Sequence, residues 1–321
     1  MYWVIVELLN CFIKIDMTRI PPYLKPGDTI GIICPAGYMP FERARTCIET
    51  LTDWGFKVIT GKTLGHQFHY FSGTDEERCN DLQTMMDDKN IDAILCGRGG
   101  YGTGRIIDKL DFTKFIKHPK WIIGFSDITV LHSHLFSNYK IASLHAPMAA
   151  AFNDGEFKNQ YIQSLHDALL GNKADYKTEG NILNQDGKSK GILIGGNLSL
   201  LVNIIGTSSD IKTKNRILFI EEVGEYIYGV DRMMHQLKRA GKLENLRGLI
   251  IGRFSDMKDT TVPFGQTVED AIKDLVKDYD YPVCFGFPVS HDKENYALKV
   301  GIKYKLNVEK GLVELKEISA H

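Results

Sequence analysis

Gly124-Phe-Ser-Asp127 places a hydroxyl where it could act as a nucleophile, between two segments able to present it. Trp121 to Phe125 is apolar and bounded by Pro119 on one side and a Gly/Ser/Asp turn on the other, which predicts a short buried strand. From Asp127 onward Ile128, Leu131 and Leu135 recur at helical spacing. Ser126 therefore falls at a sharp strand-to-helix corner. There Oγ projects from the C-terminal edge of a sheet, and the first helical N–H groups face any anion forming beside it. The commoner role of a serine before a helix is an N-cap. Gly-Phe-Ser-Asp-Ile also lacks the second glycine of a Gly-x-Ser-x-Gly elbow, so this stretch alone favours the cap.

A serine nucleophile at neutral pH needs a base, and the base needs an orienting acid. Among ten histidines, His132 and His134 lie two apart on the expected helix, face different directions and make a poor metal site. His145 ends an expected strand near the same sheet edge, and His291 sits in the polar loop Gly286-Phe-Pro-Val-Ser-His-Asp-Lys-Glu-Asn295. Such a loop is where a residue reaching across a cleft is mounted. For the acid, Ile217-Leu-Phe-Ile-Glu-Glu222 ends a buried strand in two carboxylates. Neighbours on a strand point to opposite faces, so at most one faces a cleft, and spacing does not choose between Glu221 and Glu222.

Cys96-Gly-Arg-Gly-Gly-Tyr-Gly-Thr-Gly-Arg105 follows the third expected strand and is expected to open a helix. Gly97-x-Gly99-x-x-Gly102 matches the form of a dinucleotide fingerprint, but that motif belongs to the first strand and wants an acidic residue ~20 positions on. Here the next strand ends in Gly-Phe-Ser-Asp. Dense glycines let a backbone pass close to a ligand, and their N–H groups can form an oxyanion hole as well as a phosphate cradle.

These groups must be held by alternating elements. Strands are expected at 29–34, 56–60, 91–96, 121–125 and 141–145, with helices at 41–54 and 74–86, the latter capped by Thr74 or Asp75. After a helix at 157–170 and a polar stretch at 171–190 holding one short strand, alternation resumes. Strands are expected at 192–194, 217–220, 249–251 and 283–285, helices at 198–205, 230–240 and 267–278, and terminal strands turn at Gly301 and Gly311. The fold expected is α/β: an N-terminal doubly wound, mostly parallel sheet with helices on both faces, and a smaller C-terminal α/β domain richer in β at its end. Residues 17–150 form the first domain, 151–190 a linker and 191–321 the second.

The chain's 321 residues, 43% hydrophobic and 25% charged, describe an ordinary globular protein of two domains. With Lys plus Arg at 39 against 40 acidic residues and a net charge of -1, no basic surplus draws a nucleic acid. Six scattered cysteines with no Cys-x-x-Cys pair read as reduced thiols of a cytoplasmic protein. Residues 1–16 carry Glu7 and Asn10 in a short apolar run, too short to span a bilayer. They read as an upstream extension before Met17.

Several stretches together resemble one family. They are Gly73-Thr-Asp-Glu-Glu-Arg78 with Asp81-Leu82, Arg98-Gly-Gly-Tyr-Gly102, Gly124-Phe-Ser-Asp127, His145-Ala-Pro-Met148, Gly195-Gly-Asn-Leu198, Ile220-Glu-Glu-Val-Gly-Glu225 with Asp231-Arg232, and Gly286-Phe-Pro-Val-Ser-His291. In order and spacing, from about residue 26 to the C-terminus, they are similar to the L,D-carboxypeptidase (muramoyltetrapeptide carboxypeptidase) family of serine peptidases, which includes microcin C immunity peptidases. The resemblance implies a Ser126–His291–Glu221 triad, with backbone N–H groups of Asp127 and Gly100 as oxyanion hole. It implies a murein tetrapeptide substrate losing a terminal D-alanine, no metal or cofactor, and a homodimer. An exopeptidase needs a cation for the free carboxylate, and Arg98 stands at the right strand end, with Tyr101 and Asn197 as further lining candidates. Glu222, Asp231 and Arg232 read as structural. Two rivals stand beside this: an immunity peptidase cleaving peptidyl or aminoacyl nucleotides, and a non-catalytic nucleotide- or sugar-binding α/β protein using Gly97 to Gly104. The first needs an aromatic to stack on a base, and Gly206 to Arg216 holds none.

Overall fold

The computed structural model describes residues 18–153 and 159–319. The extension expected over residues 1–16 lies outside them. Strands β1 (Thr29–Ile33), β2 (Lys57–Thr60), β3 (Ala93–Cys96), β4 (Trp121–Gly124) and β5 (Ser143–His145) alternate with helices. These are α1 (Arg45–Asp53), α2 (Asp75–Asp87), α3 (Thr113–Lys117) and α4 (Thr129–Tyr139). The apolar runs that predict β1, β3 and β4 are buried throughout or nearly so, as strands of a sheet covered on both faces must be. α2 starts in a capping box, Thr74 accepting from the Glu77 backbone while Glu77 accepts from the Thr74 N–H.

The second half contributes α5 (Gln160–Leu169), β6 (Asp175–Glu179), β7 (Gly187–Asn197), α6 (Leu198–Asn203), β8 (Arg216–Val223), α7 (Ile227–Arg239), β9 (Gly248–Ser255), α8 (Val268–Val276) and β10 (Val283–Phe285). β11 (Leu298–Val300), β12 (Lys303–Glu309) and β13 (Leu312–Glu317) follow. Of the helix expected over 157–170, residues 157 and 158 lie outside the described residues, and α5 begins after the Asn159 cap.

Two sheets result, ordered β11-β5-β4-β3-β1-β2 and β10-β9-β8-β7-β12-β13-β6. The first is parallel except for β11, and its order reverses between β1 and β3, the kind of switch point where α/β sheets open a crevice. The second is parallel over β10-β9-β8-β7 and antiparallel over β7-β12-β13-β6. This is the α/β architecture expected, with its β-rich end.

Two local expectations fail. The polar run 171–190 holds the one short strand expected, β6, but also the start of β7, whose first residues, Gly187 to Lys190, carry no apolar side chain to betray them. The glycine-rich loop opens not a helix but two 3₁₀ turns, Thr103–Arg105 and Ile107–Lys109, because glycines at 97, 99, 100, 102 and 104 disfavour a regular helix start.

The two sheets are joined by α4 and by the chain itself. α4 packs against β4 and β5 on one side and β7 on the other, so Thr129 to Phe136 are all buried and the helix lacks a polar face. After β10, in the second sheet, the chain crosses to β11, in the first, where Leu298 pairs with His145. The connection carries His291.

Candidate active site

Ser126 follows β4 with φ 61°, a left-handed backbone that costs a residue with a Cβ on the order of 1–3 kcal/mol. It opens a 3₁₀ turn, Ser126–Ile128, and neither that turn nor α4 has a side-chain cap. The N-cap role that the stretch alone favours is therefore not what the hydroxyl does. Instead Ser126 Oγ lies 2.9 Å from His291 Nε2, and His291 Nδ1 lies 2.6 Å from Glu221 Oε2. One hydroxyl, one imidazole and one carboxylate form a hydrogen-bonded row.

The neighbouring glutamate is occupied elsewhere. Glu222 Oε1 accepts from Asn197 Nδ2 (2.8 Å) and the Val223 N–H (2.9 Å), and Oε2 accepts from the Ser199 N–H (2.7 Å). Burial raises its pKa against those hydrogen bonds. Strand alternation thus divides the pair as expected, Glu221 toward the imidazole and Glu222 toward the start of α6. Asn197 is buried, and its Oδ1 caps α6 by accepting from the Leu200 N–H, so both ends of its amide are engaged. Burial pulls the His291 pKa down, but the charge and hydrogen bond of Glu221, with Glu222 and Asp292 adding, hold it above the ordinary histidine value. Phe125 packs edge-on to the imidazole at 4.9 Å between centroids.

Close packing of glycine brings the parts together. A Cβ on Gly99 would fall 2.8 Å from Ser126 Cβ, 3.0 Å from its Oγ and 3.2 Å from the Asp127 nitrogen, so only glycine lets the loop after β3 lie over the nucleophile. A Cβ on Gly196 would meet Thr129 Oγ1 at 2.4 Å. Without one, the end of β7 seats on the start of α4, and the Asn197 N–H donates to Thr129 Oγ1 at 3.0 Å.

Asp127 is buried, and its Oδ2 accepts from the Thr103 N–H at 2.7 Å, tying the glycine loop to the nucleophile turn. Arg78, fully buried, donates to the carbonyls of Pro35 (2.6 Å), Gly102 (3.1 Å) and Gly73 (3.3 Å) and pairs with Asp75. It fastens the loops after β1 and β3 to each other. Apart from its place in the Gly73–Arg78 motif, nothing in the sequence marks that role. Gly100 has φ 99°, and a Cβ there would meet the Tyr70 hydroxyl at 2.8 Å. Arg98 Nη1 donates to the Tyr38 carbonyl at 2.9 Å, and Tyr101 is 52% exposed beside Phe71.

His145 is buried, and burial drives its pKa well down against a side-chain hydrogen bond from Asn295. It lies behind Phe125, outside the row. His132 bonds Ser143 Oγ and the Gly124 carbonyl, both at 2.8 Å, and His134 bonds Ser209 Oγ at 2.9 Å. Asp231 and Arg232 lie inside α7 rather than at its start, near His235 and Tyr228 respectively. Among the described residues there is no group of three or more His, Cys, Asp or Glu fit to hold a metal, and no helix is long and apolar enough to cross a membrane. Cys34, Cys47, Cys79, Cys96 and Cys284 are free thiols.

An α/β sheet edge presenting a hydroxyl in a left-handed turn, in line with an imidazole and a carboxylate, has the constellation of a serine hydrolase. Residues 30–146 match the LD-carboxypeptidase N-terminal domain and residues 190–306 the LD-carboxypeptidase C-terminal domain: the chain belongs to that family and is a serine peptidase. It is 34% identical over 290 residues to the probable murein peptide carboxypeptidase of Bacillus subtilis, covering 89% of this chain and 91% of the relative. The crystal structure of muramoyltetrapeptide carboxypeptidase from Oxalobacter formigenes superposes with a TM-score of 0.83 at 28% identity, over 91% of this chain and 99% of that one. Microcin C7 self immunity protein in complex with aspartyl sulfamoyl adenosine shares the fold, with a TM-score of 0.84 at 23% identity over 94% of this chain and 99% of its own. Membership in a peptidase family removes the non-catalytic alternative.

Proposed function

We propose that the chain is a cytoplasmic L,D-carboxypeptidase that releases the terminal D-alanine of murein tetrapeptides, as a step in peptidoglycan recycling. The observation that carries this is the row Ser126 Oγ, His291 Nε2, Glu221 Oε2, closed at 2.9 and 2.6 Å. His291 takes the Ser126 proton as Oγ adds to the carbonyl of the L-residue, and Glu221 fixes the imidazole tautomer and stabilises the imidazolium. The N–H groups of Asp127 and Gly100 receive the oxyanion. The C–N bond then breaks, His291 passes the proton to the departing amine, and water releases the acyl group from Ser126 by the same steps in reverse. Arg98 and Tyr101 line the approach, the enzyme works as a homodimer, and the steps require no metal or cofactor. The relatives' names, a murein peptide and a muramoyltetrapeptide carboxypeptidase, support the substrate class.

A second substrate class, a peptidyl or aminoacyl nucleotide, draws support from Tyr226 and Tyr228. Their rings stack at 5.4 Å beyond the end of β8, 40% and 44% exposed, and could take a base. Turnover measured side by side on a tetrapeptide ending in D-alanine and on an aminoacyl-sulfamoyl nucleoside separates the two. Faster hydrolysis of the nucleoside compound would overturn the murein assignment.

A further inference from the structure

In the proposed reaction the departing amine must lie against His291, because that imidazole hands it the proton. His291 forms part of the wall of a cavity of about 190 Å³, with Arg43, Phe125, Met148, Lys293 and Asn295 around it. At ~30 Å³ per water-sized group the space suits a single small amino acid rather than a longer chain. Its chemistry divides the same way. Phe125 and Met148 are apolar, while Arg43, in the turn before α1, and Lys293, two residues past His291, are cations that make no ion pair among the described residues. Asp292 is the acidic residue of the wall, and it accepts from Ser255 Oγ at 2.7 Å. Asn295 is buried; its Oδ1 accepts from the Ser290 N–H at 3.4 Å, and its amide is the side-chain partner of the buried His145 ring. Arg98 is not part of this wall.

We propose that this cavity is the subsite of the departing D-amino acid. Its free α-carboxylate is taken by Arg43 and Lys293, and its small side chain lies against Phe125 and Met148. The subsite rests on the peptidase reading and defines the substrate as a peptide with a free C-terminal carboxylate and a small last residue. The test is the ratio of kcat/KM for a tetrapeptide ending in D-alanine to that for the same peptide ending in D-alaninamide. It is measured for the wild type, Arg43→Gln, Lys293→Gln and the double variant, with thermal melts to verify folding. Wild type should favour the acid about 100-fold, and the double variant should bring the ratio close to one, chiefly through KM on the acid. Variants that fold and keep the wild-type ratio would overturn the subsite alone. A wild type that cleaves neither peptide would overturn the peptidase reading and the subsite with it.

Discussion

At the end of β4 the chain exposes a single reactive hydroxyl and strains the backbone to do so, with Ser126 at φ 61°. At the end of β8, where the pairing with β9 shifts register between Ile220 and Glu222, it places two adjacent carboxylates, and they part company: Glu221 reaches His291, while Glu222 receives Asn197 and two backbone N–H groups. The first end is built around a departure from ordinary backbone, the second around ordinary strand alternation. Strain of this kind persists where surrounding structure fixes it. Here Gly99 presses against the turn, and Asp127 and Arg78 hold the loops on either side. The carboxylate end is closely packed as well, since a Cβ on Gly252 would fall 3.1 Å from Glu221 Cβ, but there strand alternation by itself sends the two neighbours to opposite faces.

The contrast can be broken most severely at the hydroxyl. Ser126→Ala should lower kcat on a D-alanine-terminated tetrapeptide by about 10,000-fold or more while leaving the melting curve in place. At the other end, Glu221→Gln should cost about 1,000-fold or more and also move the pH profile. The base must be neutral to work, and Glu221 raises the His291 pKa. In the wild type, kcat/KM therefore falls with acid along a limb above the ordinary histidine value. In Glu221→Gln the raising charge is gone and burial remains, so the limb should move to lower pH. A limb that stayed where it was would uncouple the two residues. Gly99→Ala sharpens the comparison from the strained side. Its Cβ would push the loop off Ser126, and a displacement near 1 Å should cost about 100-fold in kcat. The smallest catalytic effect belongs to Glu222→Ala. It should instead lose about 1–3 kcal/mol in urea unfolding as the Asn197 amide and two N–H groups lose their acceptor.

Much of this could be read from residue order. Apolar runs gave β1, β3, β4, β8 and β9 within a few residues at most of their ends, and the motif run from Gly73 to His291 pointed to the family. Other features carry no local signal. The first residues of β7, Gly187 to Lys190, carry no apolar side chain, so composition cannot distinguish them from a linker. β11 is a three-residue strand whose sheet is decided by where the chain crosses after His291. From periodicity alone Ser126 reads as a cap, because its left-handed turn is set by the loop packed over it rather than by its neighbours in sequence. Asn197 offers an amide that sequence inspection assigns to a ligand, whereas its partners, Glu222 and the start of α6, are visible only once β7 and β8 are paired.

The most direct measurement is peptide mapping by mass spectrometry after reaction with a fluorophosphonate, which labels only an activated serine. A single adduct on Ser126, suppressed by a tetrapeptide ending in D-alanine and absent from His291→Ala, is the expected result. Adduct on another serine, or equal labelling of Ser126 without His291, would contradict an imidazole-activated nucleophile at the end of β4.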